Sequence, residues 1–492
     1  MPSPVESLPG ELLIDCFSYL ELSRPSIHSL RLTSRHFHDL SSPFLITAAT
    51  VHFTAQSFSA LSRLASHHVF SKSVKSININ VCYYDKMLAK DLFCYAFTSK
   101  NLMTRFLTTS EGTKPDETHT KYNDIDPESY ERGLEIGRQW LGIEAKKFKL
   151  ENASSEQRFL FEMWTEYGRL YEEQQALIVG EAGAAKLVKI LAQFPALAKL
   201  AITDDSKDFE DGDEKTPTAV IISEFGLKKC CMSPIRWKSI QRYETTTKPP
   251  TFILPKLFTA LAASSIRVPH FAIQLSAPVD LDALLMSETE YDAARKMVSR
   301  AETVSFRMWH WSRYHIWESL ATRSAQEFPA LHKLTRALFA SPMLKTMDIA
   351  LAYHISSMHW HDVIVVYDNQ PPAMTFSDLI PPLDTCAASL RSISLTSVPI
   401  TLKELETLAE TMSDHLTSLE LHLPYLLGGN WEQALDTLRG LERLEHVKLR
   451  MLRGRDRQGL GADPPLEEMG DFLVGRKSDN PLHGLHMKSG AD

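Results

Sequence analysis

One short pattern recurs along this chain and narrows the folds open to it: an apolar residue, two positions of any kind, a second apolar residue, one free position, and a third. It stands as Val74-Ile77-Ile79, Leu197-Leu200-Ile202, Val268-Phe271-Ile273 and Leu344-Met347-Ile349. It returns as Leu390-Ile393-Leu395, Leu416-Leu419-Leu421 and Leu444-Val447-Leu449. The alternation closing each unit suits a short strand with one buried face. Runs such as LKELETLAETM at 402–412 and WEQALDTLRGL at 431–441 lie between units and read as helices. The steps from Leu390 to Leu416 and on to Leu444 are 26 and 28 residues, inside the range of roughly 20–29 for leucine-rich repeats. The step of 46 from Leu344 to Leu390 reads as two units with one degenerate. Spacing is regular from 385 to 452 and irregular from 50 to 340. No such unit can bury its face alone, so units of this kind stack into a curved solenoid.

Composition supports a large folded core: 43% of the 492 residues are hydrophobic and 23% charged. The length allows about three ordinary domains, or one extended repeat domain with a small module. A net charge of -8 and a pI near 6.2 speak against a general nucleic-acid or membrane-surface binder. The cysteines, Cys16, Cys82, Cys94, Cys230, Cys231 and Cys386, form no C-x-x-C pair. Reduced thiols in the cytoplasm or nucleus are therefore expected. Two stretches interrupt the pattern, at 108–175 and 203–250. The first opens as a polar loop and continues into RFLFEMWTEYGRLYEEQQALIVGEAGAAKLVKILAQF, one or two amphipathic helices with a glycine-containing break. The second opens with TDDSKDFEDGDEKTPTA, whose seven carboxylates read as a solvated loop. It has Gly212 but neither the ligand offsets nor the flanking helices of an EF-hand.

Catalytic motifs are missing: there is no phosphate-binding P-loop, no G-x-S-x-G elbow and no H-E-x-x-H helix. His359 and His361 flank Trp360 and would share one side of a strand, but the sequence names no third metal ligand. Trp309, His310, Trp311, His315 and Trp317 form an aromatic cluster, either a core segment or a partner-binding patch. Cys230 and Cys231 follow Lys228 and Lys229, a setting that would favour a thiolate if it were partly exposed. The expectation is a protein without catalytic residues, cofactor or bound metal. The alternative in another class is a metal-dependent enzyme using the His359/His361 region.

The first fifty residues have a different character. LPGELLIDCFSYL, at 8–20, spaces Leu12, Leu13, Cys16, Phe17 and Leu20 as one helical stripe. The residues before it, MPSPVES, lack the basic flank of a signal peptide, and no window is apolar enough for a membrane span. A polar turn with Pro25 follows, then IHSLRLTSRHFHDLSSPFLI, in which Ile27, Leu30, Phe37 and Leu40 supply further apolar faces. Arg31 and Arg35 are expected to point outward, and Ser41-Ser42-Pro43 to end the helices. Three short helices in about 40 residues bury too little to stand alone.

Leu8-Pro9-x-Glu11-Leu12, Phe17-x-x-Leu20 and Leu30-Arg31-Leu32-Thr33-Ser34-Arg35-x-Phe37 resemble an F-box over residues 5–46. One departure is Ser26, where the family often has an acidic residue. The whole chain is similar to fungal F-box proteins with degenerate leucine-rich repeats. That resemblance implies docking to a Skp-family adaptor through Leu8, Pro9, Leu12, Leu20, Leu30 and Leu32, with Phe37 packed internally. Through the adaptor it implies a cullin and recruitment of an unknown protein for ubiquitylation, or adaptor binding outside a ligase. The expected architecture is α/β: a three-helix F-box at 1–48, an irregular leucine-rich-repeat-like solenoid at 49–460 with helical insertions, and a tail at 461–492.

Overall fold

The computed structural model describes residues 5, 8–19, 23–109, 127–143, 148–204, 222–237, 248–278, 280–309, 325–351, 374–454 and 466–483. The fold is mixed α/β, built on a nine-stranded, wholly parallel sheet. Its strands are β1 (Ala48–His52), β2 (Ser76–Asn80), β3 (Lys199–Thr203), β4 (His270–Ser276), β5 (Thr303–Trp309), β6 (Thr346–Ala350), β7 (Ser392–Thr396), β9 (Ser418–His422) and β11 (His446–Arg450). Three shorter strands, β8 (Pro399–Thr401), β10 (Tyr425–Leu427) and β12 (Arg453–Gly454), form a second parallel sheet.

The strand order follows the chain, each strand of the large sheet pairing with the next one of that sheet along the sequence. The recurring apolar pattern sets the register. Ile77, Leu200, Phe271, Val304, Met347, Ile393, Leu419 and Val447 stand side by side across the sheet. Two residues further on, Ile79, Ile202, Ile273, Phe306, Ile349, Leu395, Leu421 and Leu449 make a second row, none more than 6% exposed. The strand entrances repeat as well. The amides of Lys75 and Ser76 both donate to the Thr47 carbonyl (2.8 and 3.1 Å), and those of Lys345 and Thr346 to Glu302 (2.7 and 2.9 Å). Arg391 and Ser392 share the Lys345 carbonyl in the same way, at 2.9 and 3.0 Å.

Every crossover moves to the adjacent strand in one direction, and right-handed crossovers of that kind place their helices on one face. Helices Ala55–Ser66, Glu181–Leu191, Ile253–Ala263, Glu288–Val298 and Pro329–Leu338 pack side by side in that layer. Leu402–Met412, Trp431–Leu438 and Leu466–Leu473 extend it to the last strand. Thr401 and Asn430 cap the first two of these through reciprocal capping boxes with Glu404 and Gln433.

The last three units share a corner. Ser397, Leu423 and Met451, each one residue past β7, β9 or β11, have φ of 53°, 51° and 51°. Their left-handed backbone costs a non-glycine residue about 1–2 kcal/mol. It turns the chain from the large sheet into the small one, and the Ser397 amide donates to the His422 carbonyl (2.8 Å), the Leu423 amide to Arg450 (2.9 Å).

Three sequence expectations change. β1 and β5 also fit the pattern, as Ile46-Ala49-Val51 and Ala301-Val304-Phe306, where an alanine weakens the signal. The aromatic cluster therefore begins inside β5, where Phe306 and Met308 are fully buried, while residues 310–317 lie outside the described residues. Third, β6 pairs directly with β7, so no strand of a second unit stands between them in the sheet. The glycine-containing break is confirmed: Ser155–Ile178 ends before Gly180, and Glu181–Leu191 begins. There the two helices touch so closely that a Cβ on Gly183 would lie 1.8 Å from the Leu177 carbonyl oxygen.

Urea denaturation tests these contacts. Leu395→Ala is expected to cost about 2–5 kcal/mol, whereas Ser394→Ala on the opposite face stays within about 0.5 kcal/mol. Gly183→Ala is expected to cost at least about 2 kcal/mol, because backbone rather than a flexible side chain must yield.

Candidate docking surface

The N-terminal unit consists of α1 (Gly10–Ser18), α2 (Arg24–Thr33) and α3 (Arg35–Ser41). Pro9, with φ of -52°, precedes α1 as its N-cap, and Glu11 in the first turn faces the positive end of the helix dipole. Leu13 and Phe17, one turn apart, are buried with Phe37, and the Phe17 and Phe37 rings meet edge to face at 5.7 Å. Leu30, Leu40 and Phe44 pack around them, half-buried. Among the described residues this core shares none with the main one beneath the sheet. Ser34 caps α3, its Oγ accepting from the Phe37 amide at 3.3 Å. A 3-10 turn, Ser42–Phe44, ends the unit and packs on Phe70–Ser73.

Arg31 does not simply point outward. Its Nε donates to Ser42 Oγ at 3.1 Å and a terminal nitrogen lies 3.1 Å from His38 Nε2, tying α2 to the end of α3. Arg35 is exposed.

Of the residues singled out for adaptor docking, Leu8 is 41% exposed, Leu12 53% and Leu32 76%. Pro9 is exposed and Leu30 half-buried, while Leu20 lies outside the described residues. Val5, Ile14 and Tyr19 are exposed as well. Six of the 14 large apolar side chains left exposed among the described residues thus fall within residues 5–32. Apolar exposure concentrated in this way makes these residues a candidate interaction surface. The signal for Ile14 was available in Leu12-Leu13-Ile14, since three consecutive helical residues span about 200° and cannot all face inward.

A second concentration of polar groups lies where β2, β3 and β4 end. Asp204 is 2% exposed; one carboxylate oxygen accepts from the Ser276 amide (2.8 Å) and the other from the Trp237 amide (3.0 Å). Burial pushes its carboxyl above the usual range, against the opposing pull of those hydrogen bonds. Cys82 Sγ donates to the Asp204 carbonyl at 2.9 Å. Gln174 donates to the Cys82 carbonyl (3.1 Å) and accepts from the Tyr84 amide (2.8 Å), and Tyr167 Oη accepts from the Asp85 amide (2.9 Å). Nearly every arm ends on backbone, so the network clamps the inserted helix Ser155–Ile178 to the strand ends. Tyr83 Oη and Asp85 Oδ2 are buried without a hydrogen-bond partner among the described residues.

Cys230 and Cys231 are buried and lack the exposure that a nucleophilic thiolate needs. Burial pushes the Cys230 thiol up to about 12 despite Lys229, and raises Cys231 as well. His359 and His361 lie outside the described residues, and among those described no group of three His, Cys, Asp or Glu could hold a metal ion. No helix among them is long and apolar enough to cross a membrane.

The raised carboxyl of Asp204 has a signed consequence. Between the unfolded and folded pKa the native state keeps a proton that the unfolded chain has lost, so this group's contribution to stability falls as pH rises. Urea denaturation of wild type and Asp204→Asn at several pH values from 4 upward (~4–7) checks this. The wild type's advantage over the variant should be greatest at the acid end and shrink towards neutrality. No protein-family model matches this chain, and no curated protein matches it.

Proposed function

We propose that this protein is the substrate-recognition subunit of a Skp–cullin–F-box ubiquitin ligase. In this reading α1–α3 are the F-box, docking a Skp-family adaptor and through it a cullin. The sheet domain is an irregular leucine-rich-repeat solenoid that recruits a target protein. The observation that carries the reading is the division of one apolar stretch: Leu13, Phe17 and Phe37 fill a small core, while Leu8, Leu12 and Leu32 are left to solvent. The order of strands along the chain, their shared register and the single helix layer support the repeat reading. Such a subunit performs no chemistry. It raises the concentration of a target beside the enzyme-bound ubiquitin.

Burial of each exposed leucine against a partner is worth about 1.5–3 kcal/mol. Capture of a purified Skp-family adaptor should therefore weaken by at least about tenfold in Leu8→Ala/Pro9→Ala and in Leu12→Asp. A wild-type protein that captures no adaptor would sink the reading. Adaptor capture without cullin in the same complex would limit the protein to a role outside a ligase.

A further inference from the structure

The outward face of the nine-stranded sheet is balanced in charge over its middle. Asp348 accepts from Ser305 Oγ at 2.6 Å and pairs with Arg307 at 2.7 Å, and β7 beside it presents Ser392, Ser394 and Thr396. The last two strands differ. β11 presents His446, Lys448 and Arg450 on this face, all exposed, opposite Ser418, Glu420 and His422 of β9. Glu420 is the one acidic side chain on these two strand faces, and its carboxylate stands 3.9 Å from Lys448 Nζ, at the outer limit of an ion pair. The guanidinium of Arg450 has no ion pair among the described residues. His422 senses the surplus: its imidazole is held below the usual value first by burial, then by Arg450 and Lys448, with Glu420 opposing. In sequence, residues 448–457 carry five cations against Asp456, in a chain whose net charge is -8.

Alternate side chains on one strand stand about 6.6 Å apart, and so do those of an extended peptide. The geometry points to a binding site on β9 and β11 for an extended acidic segment of a partner protein, its alternate carboxylates meeting His446, Lys448 and Arg450. The site deepens the recruitment reading of the sheet domain, and rests on it only for calling the partner a ligase target. A single-stranded nucleic acid fits less well. No Trp, Tyr or Phe stands among these outward positions for bases to stack on, and Glu420 would repel phosphate. Exposed charge pairs are individually weak and screened by salt, so the affinity should fall as salt is added.

The test is fluorescence anisotropy on the full chain with a labelled peptide of alternating Asp and Ser. The comparison ligands are the Asn-Ser peptide and a single-stranded oligonucleotide of equal charge. The Asp peptide should bind at least about tenfold more tightly than the Asn peptide, and Lys448→Ala/Arg450→Ala should lose about tenfold, while Glu420→Gln tightens binding. Both lysine and arginine are exposed, so an unchanged thermal melt identifies a folded variant. Equal binding of the two peptides, full affinity in the double variant, or tighter binding of the oligonucleotide would each overturn the site. Adaptor capture measured on the same double variant should be unchanged, which separates failure of this site from failure of the ligase reading.

Discussion

Beneath the large sheet the row Ile79, Ile202, Ile273, Phe306, Ile349, Leu395, Leu421 and Leu449 runs unbroken from strand to strand. A slip of one residue in any strand would turn its member outward and bring Asn78, Ser305, Asp348 or Glu420 into the core. A buried carboxylate without partners costs several kcal/mol, so the slipped registers are closed off. The character of both faces of the sheet follows from this constraint. The helices must lie on the apolar face, and the opposite face is left free to carry charge in ordered columns.

Most of that sheet was legible because its signal is local. Leu390-Ile393-Leu395 and its two successors contain within six residues the whole instruction for a half-buried strand. β1 and β5 were missed where Ala49 and Ala301 stand for larger residues, and where the tryptophans near 309 suggested a different role. A spacing of 46 residues could not show that β6 pairs directly with β7, since counting residues says nothing about which strands pair. Long-range polar contacts were not legible at all. Asp204 meets Trp237 and Ser276 across 33 and 72 residues, and Arg31 reaches Ser42 only once α3 has folded back. The N-terminal unit lies between these cases: helical spacing placed Leu13 and Phe17 on the buried stripe and left Ile14 off it, but it also drew in Leu12 and Cys16, which are exposed.

The two surfaces call on different physics. The patch around Leu8, Leu12 and Leu32 would gain from excluding water, which is strong and indifferent to salt. The column at His446, Lys448 and Arg450 would act by charge, which favours fast encounter over tight residence. Under the proposed function, the first partner would be held durably and the second exchanged.

The separateness of the small core has a thermodynamic consequence. Among the described residues Leu13, Phe17 and Phe37 share no buried neighbour with the main core, and the turn Ser42–Phe44 packs against Phe70–Ser73 between the two. Cooperativity passes between parts of a protein through shared burial, so between these two cores it is weakened. The N-terminal unit is then a folding unit of its own with little enthalpy, melting ahead of the sheet in a calorimetric trace. A partner seated on its exposed leucines would raise that first transition and leave the second where it was.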